Sequence, residues 1–197
     1  MRLAVAVANS CNTAMIGQRA KVPQADLAAA AAALGLGVDH DLGYPVFLGS
    51  VPTDAASETE HAASMIGQGK VEASPVAMAA VAASVARGAT VTPQLLQEPP
   101  ETPDQPADAV TKQQADAVHS LMRAVVTEGS GRFLAPLPGP PVAAKTGTAE
   151  FGTDSPPKTH AWMIAIRGDL AVAVFVDVGQ SGSGTAGPLL ERFLRGS

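Results

Sequence analysis

Two apolar segments near the C-terminal end constrain this chain more than any other feature. They are Ala161-Trp162-Met163-Ile164-Ala165-Ile166 and Leu170-Ala171-Val172-Ala173-Val174-Phe175-Val176-Asp177-Val178, separated only by Arg167-Gly168-Asp169. A connection this short that contains glycine joins neighbouring antiparallel strands. The second segment is apolar at nearly every position, so it expects cover on both faces. After Gly179–Gly184, the stretch Ala186 to Leu194 reads as a closing helix that covers one face through Leu189, Leu190, Phe193 and Leu194. A third strand starts at Val142-Ala143-Ala144, delivered by the proline-rich turn Pro136–Pro141.

The region before it reads as helical. Arg2 to Ala8 resembles the last turns of an apolar helix, and Thr13 to Gln18 a second short one. Pro23-Gln24-Ala25-Asp26 opens a helix that runs to Leu34 and stops at Gly35 and Gly37. His40 to Pro52 is an extended connection, Ser57 to Met65 a short helix or turn, and Gly67-Gln68-Gly69 a tight turn. Ser74-Pro75 caps a helix ending at Gly88. Val91 to Leu96 reads as a short strand or edge segment, and Glu98 to Asp108 as an exposed polar loop. Thr111 and Gln114 fit a capping box for a helix whose buried face is Val118, Leu121, Met122, Val125 and Val126, ending at Gly129. The pattern is α+β: a mainly helical part (1–141), then antiparallel strands and a closing helix (142–197), in one partial domain over 1–197.

Composition removes several function classes. The net charge is −5 with no Lys/Arg cluster, which argues against a nucleic-acid partner. The lone Cys11 excludes an internal disulfide, and the four scattered histidines suggest no metal site. No apolar run approaches the ~18 residues of a membrane span. The apolar start, Leu3 to Ala8, is too short for a signal peptide, and Asn9-Ser10 before Cys11 poorly matches a lipoprotein site. That start reads as a helix cut at its beginning.

The chemistry-bearing residues form two short motifs. Lys145-Thr146-Gly147-Thr148 on a strand places an ammonium and hydroxyls on a cleft rim. Gly147 there leaves the strand bare enough for a substrate backbone to lie against it. The alternative is a surface-strand lysine beside a turn. Ser10-Cys11-Asn12 follows the first helix and by itself equally fits a helix-ending cap. Glu150 is either a substrate contact or a solvated strand residue. Cys11 reads as a small buried filler, His160 and Trp162 as packing residues, and Gln68 as part of a turn.

Lys-Thr-Gly and Ser-x-Asn, with Ser-x-x-Lys, are the signature set of penicillin-binding proteins and serine β-lactamases. The two motifs fall in the family's order. With Asn9–Ala14, Ile66–Gly69 followed by Ser74–Ala79, Ala144–Glu150 and His160–Trp162, the chain resembles the C-terminal part of the transpeptidase domain of a class B penicillin-binding protein. The resemblance implies a D,D-transpeptidase that cross-links peptidoglycan through an acyl-serine intermediate and uses no cofactor. It implies that Ser10 relays protons, that Asn12 binds the substrate backbone, and that Lys145 supplies positive potential. It further implies that the Thr146 and Thr148 hydroxyls take the carboxylate of a stem peptide or β-lactam, Gly147 and Glu150 line the same strand, and the Thr148 N–H forms half of the oxyanion hole. The Ala-Glu after Lys-Thr-Gly-Thr and the Gly-Gln-Gly turn favour a transpeptidase over a β-lactamase or penicillin sensor. A non-catalytic binding or structural remnant stays open as another reading.

The nucleophile motif is not where the family puts it. The one Ser-x-x-Lys is Ser155-Pro156-Pro157-Lys158, whose consecutive prolines favour extended structure over the helical turn the motif needs. The chain therefore reads as a truncation, a split-gene product or an excised segment. Its expected partner is a nucleophile-bearing N-terminal piece or a second copy. The parent protein would work on the extracytoplasmic face of the bacterial cytoplasmic membrane, attached only through that N-terminal part.

Overall fold

A computed structural model describes residues 1–40, 42–94 and 109–197. The expected loop Glu98–Asp108 lies outside the described residues. The elements run α1 (Leu3–Ala8), α2 (Asn12–Ile16), α3 (Gln24–Ala33), α4 (Glu58–Ser64), α5 (Pro75–Arg87), α6 (Lys112–Glu128), β1 (Val142–Phe151), β2 (Lys158–Arg167), β3 (Leu170–Val176) and α7 (Gly187–Gly196). The chain is α+β, as its sequence pattern implies. Two compact units share it: Met1–Met15 with Ala117–Ser197, and Ile16–Asp116. The helical and strand-rich halves of the sequence do not coincide with these units, because α1 and most of α6 belong with the strands.

In the first unit the strands form one antiparallel sheet in the order β1-β2-β3. Arg167 pairs with Leu170, so Gly168-Asp169 makes the whole hairpin turn, and Gly168 takes the positive φ of 61° that this tight reversal uses. Successive side chains alternate between faces. Val142, Ala144, Ala161, Met163 and Ala165 join Leu190 and Leu194 of α7 in one buried core, with Val126, Leu134 and Leu137. Each large apolar side chain so buried contributes roughly 1.5–3 kcal/mol.

The sequence suggested that β3 is covered on both faces, but only one face is. Val172, Val174 and Val176 pack on the core, whereas Phe175 is 36% exposed on the other side. There Phe175 sits in an aromatic row, 4.4 Å from Trp162 and 5.2 Å from His160, which stacks on Phe151 at 3.8 Å. β2 is also longer than expected, beginning at Lys158.

The second unit is helical. Ser57 Oγ accepts from Glu60 N–H at the start of α4, and Ser74 Oγ from Ala77 N–H at the start of α5. Gly88 ends α5 in the left-handed conformation at φ 74°. Thr111 and Gln114 make the reciprocal capping box of α6, Thr111 Oγ1 accepting from Gln114 N–H at 3.3 Å and Gln114 Oε1 from Thr111 N–H at 2.9 Å. The last carbonyls of α3, which have no partner within the helix, are met by hydroxyls. Ser84 Oγ lies 3.0 Å from Leu34 O and accepts from Val91 N–H at 2.8 Å, while Thr90 Oγ1 donates to Ala33 O at 2.7 Å. Of the short strand or edge segment expected at Val91–Leu96, the described residues 91–94 form no strand. They are irregular, with Val91 N–H spent on Ser84, and 95–96 fall outside the described residues.

Candidate active site

The site is built in the first unit from two chain reversals and the strand β1. At the end of α1, Asn9 N–H bonds to Val5 O at 3.2 Å, Ser10 N–H to Val7 O at 3.1 Å and Cys11 N–H to Ala6 O at 2.8 Å. This wrap forces Ser10 to φ +50°, the one positive φ of a non-glycine residue among the described ones. Such a backbone costs a residue with a side chain roughly 1–2 kcal/mol. It turns the Ser10 hydroxyl toward β1.

On β1, Lys145 Nζ donates to Ser10 Oγ at 2.5 Å and to the Thr146 carbonyl at 2.7 Å. Among the described residues no carboxylate forms an ion pair with this ammonium. Burial alone lowers its pKa from 10.5 to about 8. At pH 7 the ammonium still outnumbers the amine about tenfold, yet the amine is within reach of a modest pH change. A lysine so tuned can donate to a hydroxyl, attract an anion and exchange a proton.

The second reversal follows α6. Ser130 Oγ lies 3.0 Å from Thr146 Oγ1, and Ser10 Oγ lies 3.4 Å from the same atom. Ser130 N–H donates to Ala8 O at 3.1 Å. Gly129 beside it approaches α1 so closely that a Cβ would stand 2.0 Å from that oxygen. Ser130 did not emerge from the sequence, where Gly129 served only as a helix stop. The signal available was a hydroxyl between two glycines, Gly129-Ser130-Gly131, directly after an amphipathic helix.

Lys145, Ser10 and Thr146 are thus brought together. Thr148 Oγ1 accepts the Gly182 N–H at 3.1 Å. Gly182 opens a wide turn, Gly182–Ala186, that leads into α7. It lies against β1 so tightly that a Cβ on it would meet Gly147 O at 2.6 Å and Gly147 N at 2.8 Å. A Cβ on Gly147 would in turn stand 3.2 Å from Trp162 Cβ. The close approach to the Gly147 backbone thus explains glycine at 182, and a bare Gly147 fits against Trp162. Asn12, at the start of α2, and Glu150 are exposed and make no side-chain hydrogen bond or ion pair among the described residues. Ser155 lies in the loop between β1 and β2, and Lys158 opens β2 and pairs with Asp154 at 3.4 Å, so the two are not one helical turn apart. No group of three His, Cys, Asp or Glu that could hold a metal occurs among the described residues. No helix there is long and apolar enough to cross a membrane.

Comparison with known proteins gives one consistent answer. The family model for the penicillin binding protein transpeptidase domain matches residues 1–195. The peptidoglycan D,D-transpeptidase PbpA of Mycolicibacterium smegmatis is 36% identical over 208 aligned positions, covering 93% of this chain and 40% of the relative. The imipenem acyl-enzyme complex of penicillin-binding protein A from M. tuberculosis superposes with a TM-score of 0.80 at 30% identity, over all of this chain and 47% of that one. A peptidoglycan synthase complex that coordinates polymerization and crosslinking gives 0.82 at 28% identity, over 98% of this chain and 37% of that one. The chain spans less than half the length of each of these relatives.

Proposed function

This chain belongs to the penicillin-binding-protein transpeptidase family, and we propose that it supplies two walls of a peptidoglycan D,D-transpeptidase site, those of Ser-x-Asn and Lys-Thr-Gly. Its relatives are PbpA-type transpeptidases. The observation that carries the reading is the 2.5 Å contact between Lys145 Nζ and Ser10 Oγ, made across 135 residues of sequence.

In this reading a serine outside these 197 residues attacks the penultimate carbonyl of a stem peptide. Its Oγ–carbon bond forms, the carbon–nitrogen bond breaks, and the departing amine takes a proton. The proton that the attacking serine gives up reaches the amine through the Ser10 hydroxyl, which hands its own proton on and takes that one in its place. The Lys145 ammonium beside it makes the hydroxyl a better donor. The ammonium and the Thr146 hydroxyl receive the terminal carboxylate, of a stem peptide or of the β-lactam that imitates it. The Thr148 hydroxyl joins them. Asn12 and Glu150 face the substrate's backbone and flank. The work takes place on the extracytoplasmic face of the membrane, with the nucleophile-bearing segment as partner, or a second copy along the free edge of β3.

Two measurements test this. Intact-mass spectrometry of the chain after incubation with penicillin gives no adduct. A stable one-to-one adduct on Ser10 or Ser155 would overturn the assignment of the nucleophile. Titration with penicillin, followed by NMR, moves the resonances of Lys145, Thr146 and Ser10 first. Shifts confined to other parts of the chain would remove the site from Lys-Thr-Gly.

A further inference from the structure

The Thr146 hydroxyl has two hydroxyl neighbours, and they are unequal. Ser10 Oγ at 3.4 Å is beyond the usual range for O–H···O, whereas Ser130 Oγ at 3.0 Å is within it. Ser130 is therefore the principal partner of Thr146. Its own place is set by backbone, through the bond from its N–H to Ala8 O and the close approach of Gly129 to that same carbonyl. Ala8 stands two residues before Ser10, so one contact between the ends of α1 and α6 sets both hydroxyls against β1.

Thr146 needs such a partner. Its Cβ carries a hydroxyl and a methyl, and a turn about χ1 exchanges them. With the wrong one inward, Ser10 and Lys145 would face a methyl. Proton supply sharpens the point. Lys145 as ammonium only donates, and each hydroxyl has one proton to give. While the site is empty, Thr146 can give its proton to Ser130. When an anion claims that proton, Ser130 reverses and donates to Thr146, which leaves neither hydroxyl unmatched.

We propose that Ser130 is a positioning residue of the site: its hydroxyl holds the Thr146 hydroxyl toward Ser10 and Lys145, and takes up the hydrogen bond that Thr146 gives away when a carboxylate arrives. The second half rests on reading Thr146 as a carboxylate-binding group, and the first half does not.

The test uses the whole 197-residue chain, labelled with ¹³C and ¹⁵N. Three-bond couplings from Thr146 Cγ2 to its own nitrogen and carbonyl carbon report χ1 directly. In the unmodified chain the pair of couplings fits a single staggered χ1 rotamer. In Ser130→Ala the pair moves to the average of two staggered wells, at least one coupling changing by about half its range, and Ser130→Thr keeps the original pattern. Averaged couplings in the unmodified chain overturn the proposal even if Ser130→Ala does not fold, and unchanged couplings in a folded Ser130→Ala overturn it too. Penicillin titration of the same samples reads the second half. Affinity falls severalfold in Ser130→Ala and returns in Ser130→Thr. If the couplings respond as stated but no variant binds penicillin, the positioning role stands and the transpeptidase reading fails.

Discussion

The unit formed by Ile16–Asp116 and the unit formed by Met1–Met15 with Ala117–Ser197 keep their order by different means. In the first, most helix ends are set by a residue next to them, Ser57 for α4, Ser74 and Gly88 for α5, Thr111 with Gln114 for α6, and the end of α3, met by Ser84 and Thr90, is the exception. In the second, the residues of the candidate site are placed by partners far along the chain, Ser10 by Lys145, Ser130 by Ala8, Thr148 by Gly182. Local punctuation fails one element at a time. Long-range placement fails all at once, because a single displaced backbone moves several side chains.

Exchanging two glycines for alanine puts that contrast to its strongest test. Gly129→Ala drives a Cβ into the backbone of Ala8, with nothing flexible to yield, and costs about 3 kcal/mol. Gly88→Ala meets only the movable Lys112 side chain at 3.0 Å and costs about 1–2 kcal/mol for its left-handed backbone. Urea unfolding ranks the two, and the Lys145 side-chain resonances shift in the first variant alone. Equal costs would mean that the contact between α1 and α6 matters no more than a helix stop.

Ser84→Ala is next in size. The serine is wholly buried and serves Leu34, Ala80 and Val91 together, so its loss strands the Val91 N–H and a carbonyl of α3. About 2 kcal/mol follows, the largest effect of a polar deletion among the described residues of its unit. A cost below that of removing a helix cap would show that this hub is no more than local.

Lys145 gives a smaller effect with a sign. Its folded pKa, about 8, lies below the unfolded 10.5, so between those values the unfolded chain binds more protons and stability rises with pH. Below pH 8 the buried ammonium is a standing cost. Lys145→Met is then about 1–2 kcal/mol more stable at pH 7, and the gap closes by about pH 10.5. A thermal-melt series from about pH 6.5 to about pH 10.5 reads both claims. A flat difference would mean that the ammonium keeps its water.

Ser57→Ala completes the series at about 1 kcal/mol, the usual worth of a helix cap. Calorimetry measures it, and Lys145 still titrates near 8 in that variant.

The same division decides what could be read from the amino acids. Caps, glycine stops, the short connection Arg167-Gly168-Asp169 and the apolar run that opens β1 are written within a few residues, so the α+β pattern and most helix ends were legible. Lys145-Thr146-Gly147 and Ser10 were legible as a pair only through a family resemblance, since no local signal says that they touch. Ser130 was not legible, because its role depends on Ala8, whose own sequence surroundings carry no chemistry. The short strand or edge segment expected from Val91 does not form over 91–94 for a similar reason: a buried serine takes the N–H that a strand would have used. Exposure of one face of β3 escaped too, since apolarity at every position states a need for cover and not its supply.

Ser10 carries the last consequence. Its left-handed backbone suits glycine or asparagine better than serine, so the position trades conformational ease for a hydroxyl. A mutant library sorted by heat resistance alone would enrich Ser10→Gly, gaining about 1 kcal/mol while discarding the group that meets Lys145. A library sorted for ligand capture would purge the same change. The two sorts, run on one pool, would pull this residue in opposite directions, and the size of the disagreement would measure how much stability the chain forgoes to keep a hydroxyl there.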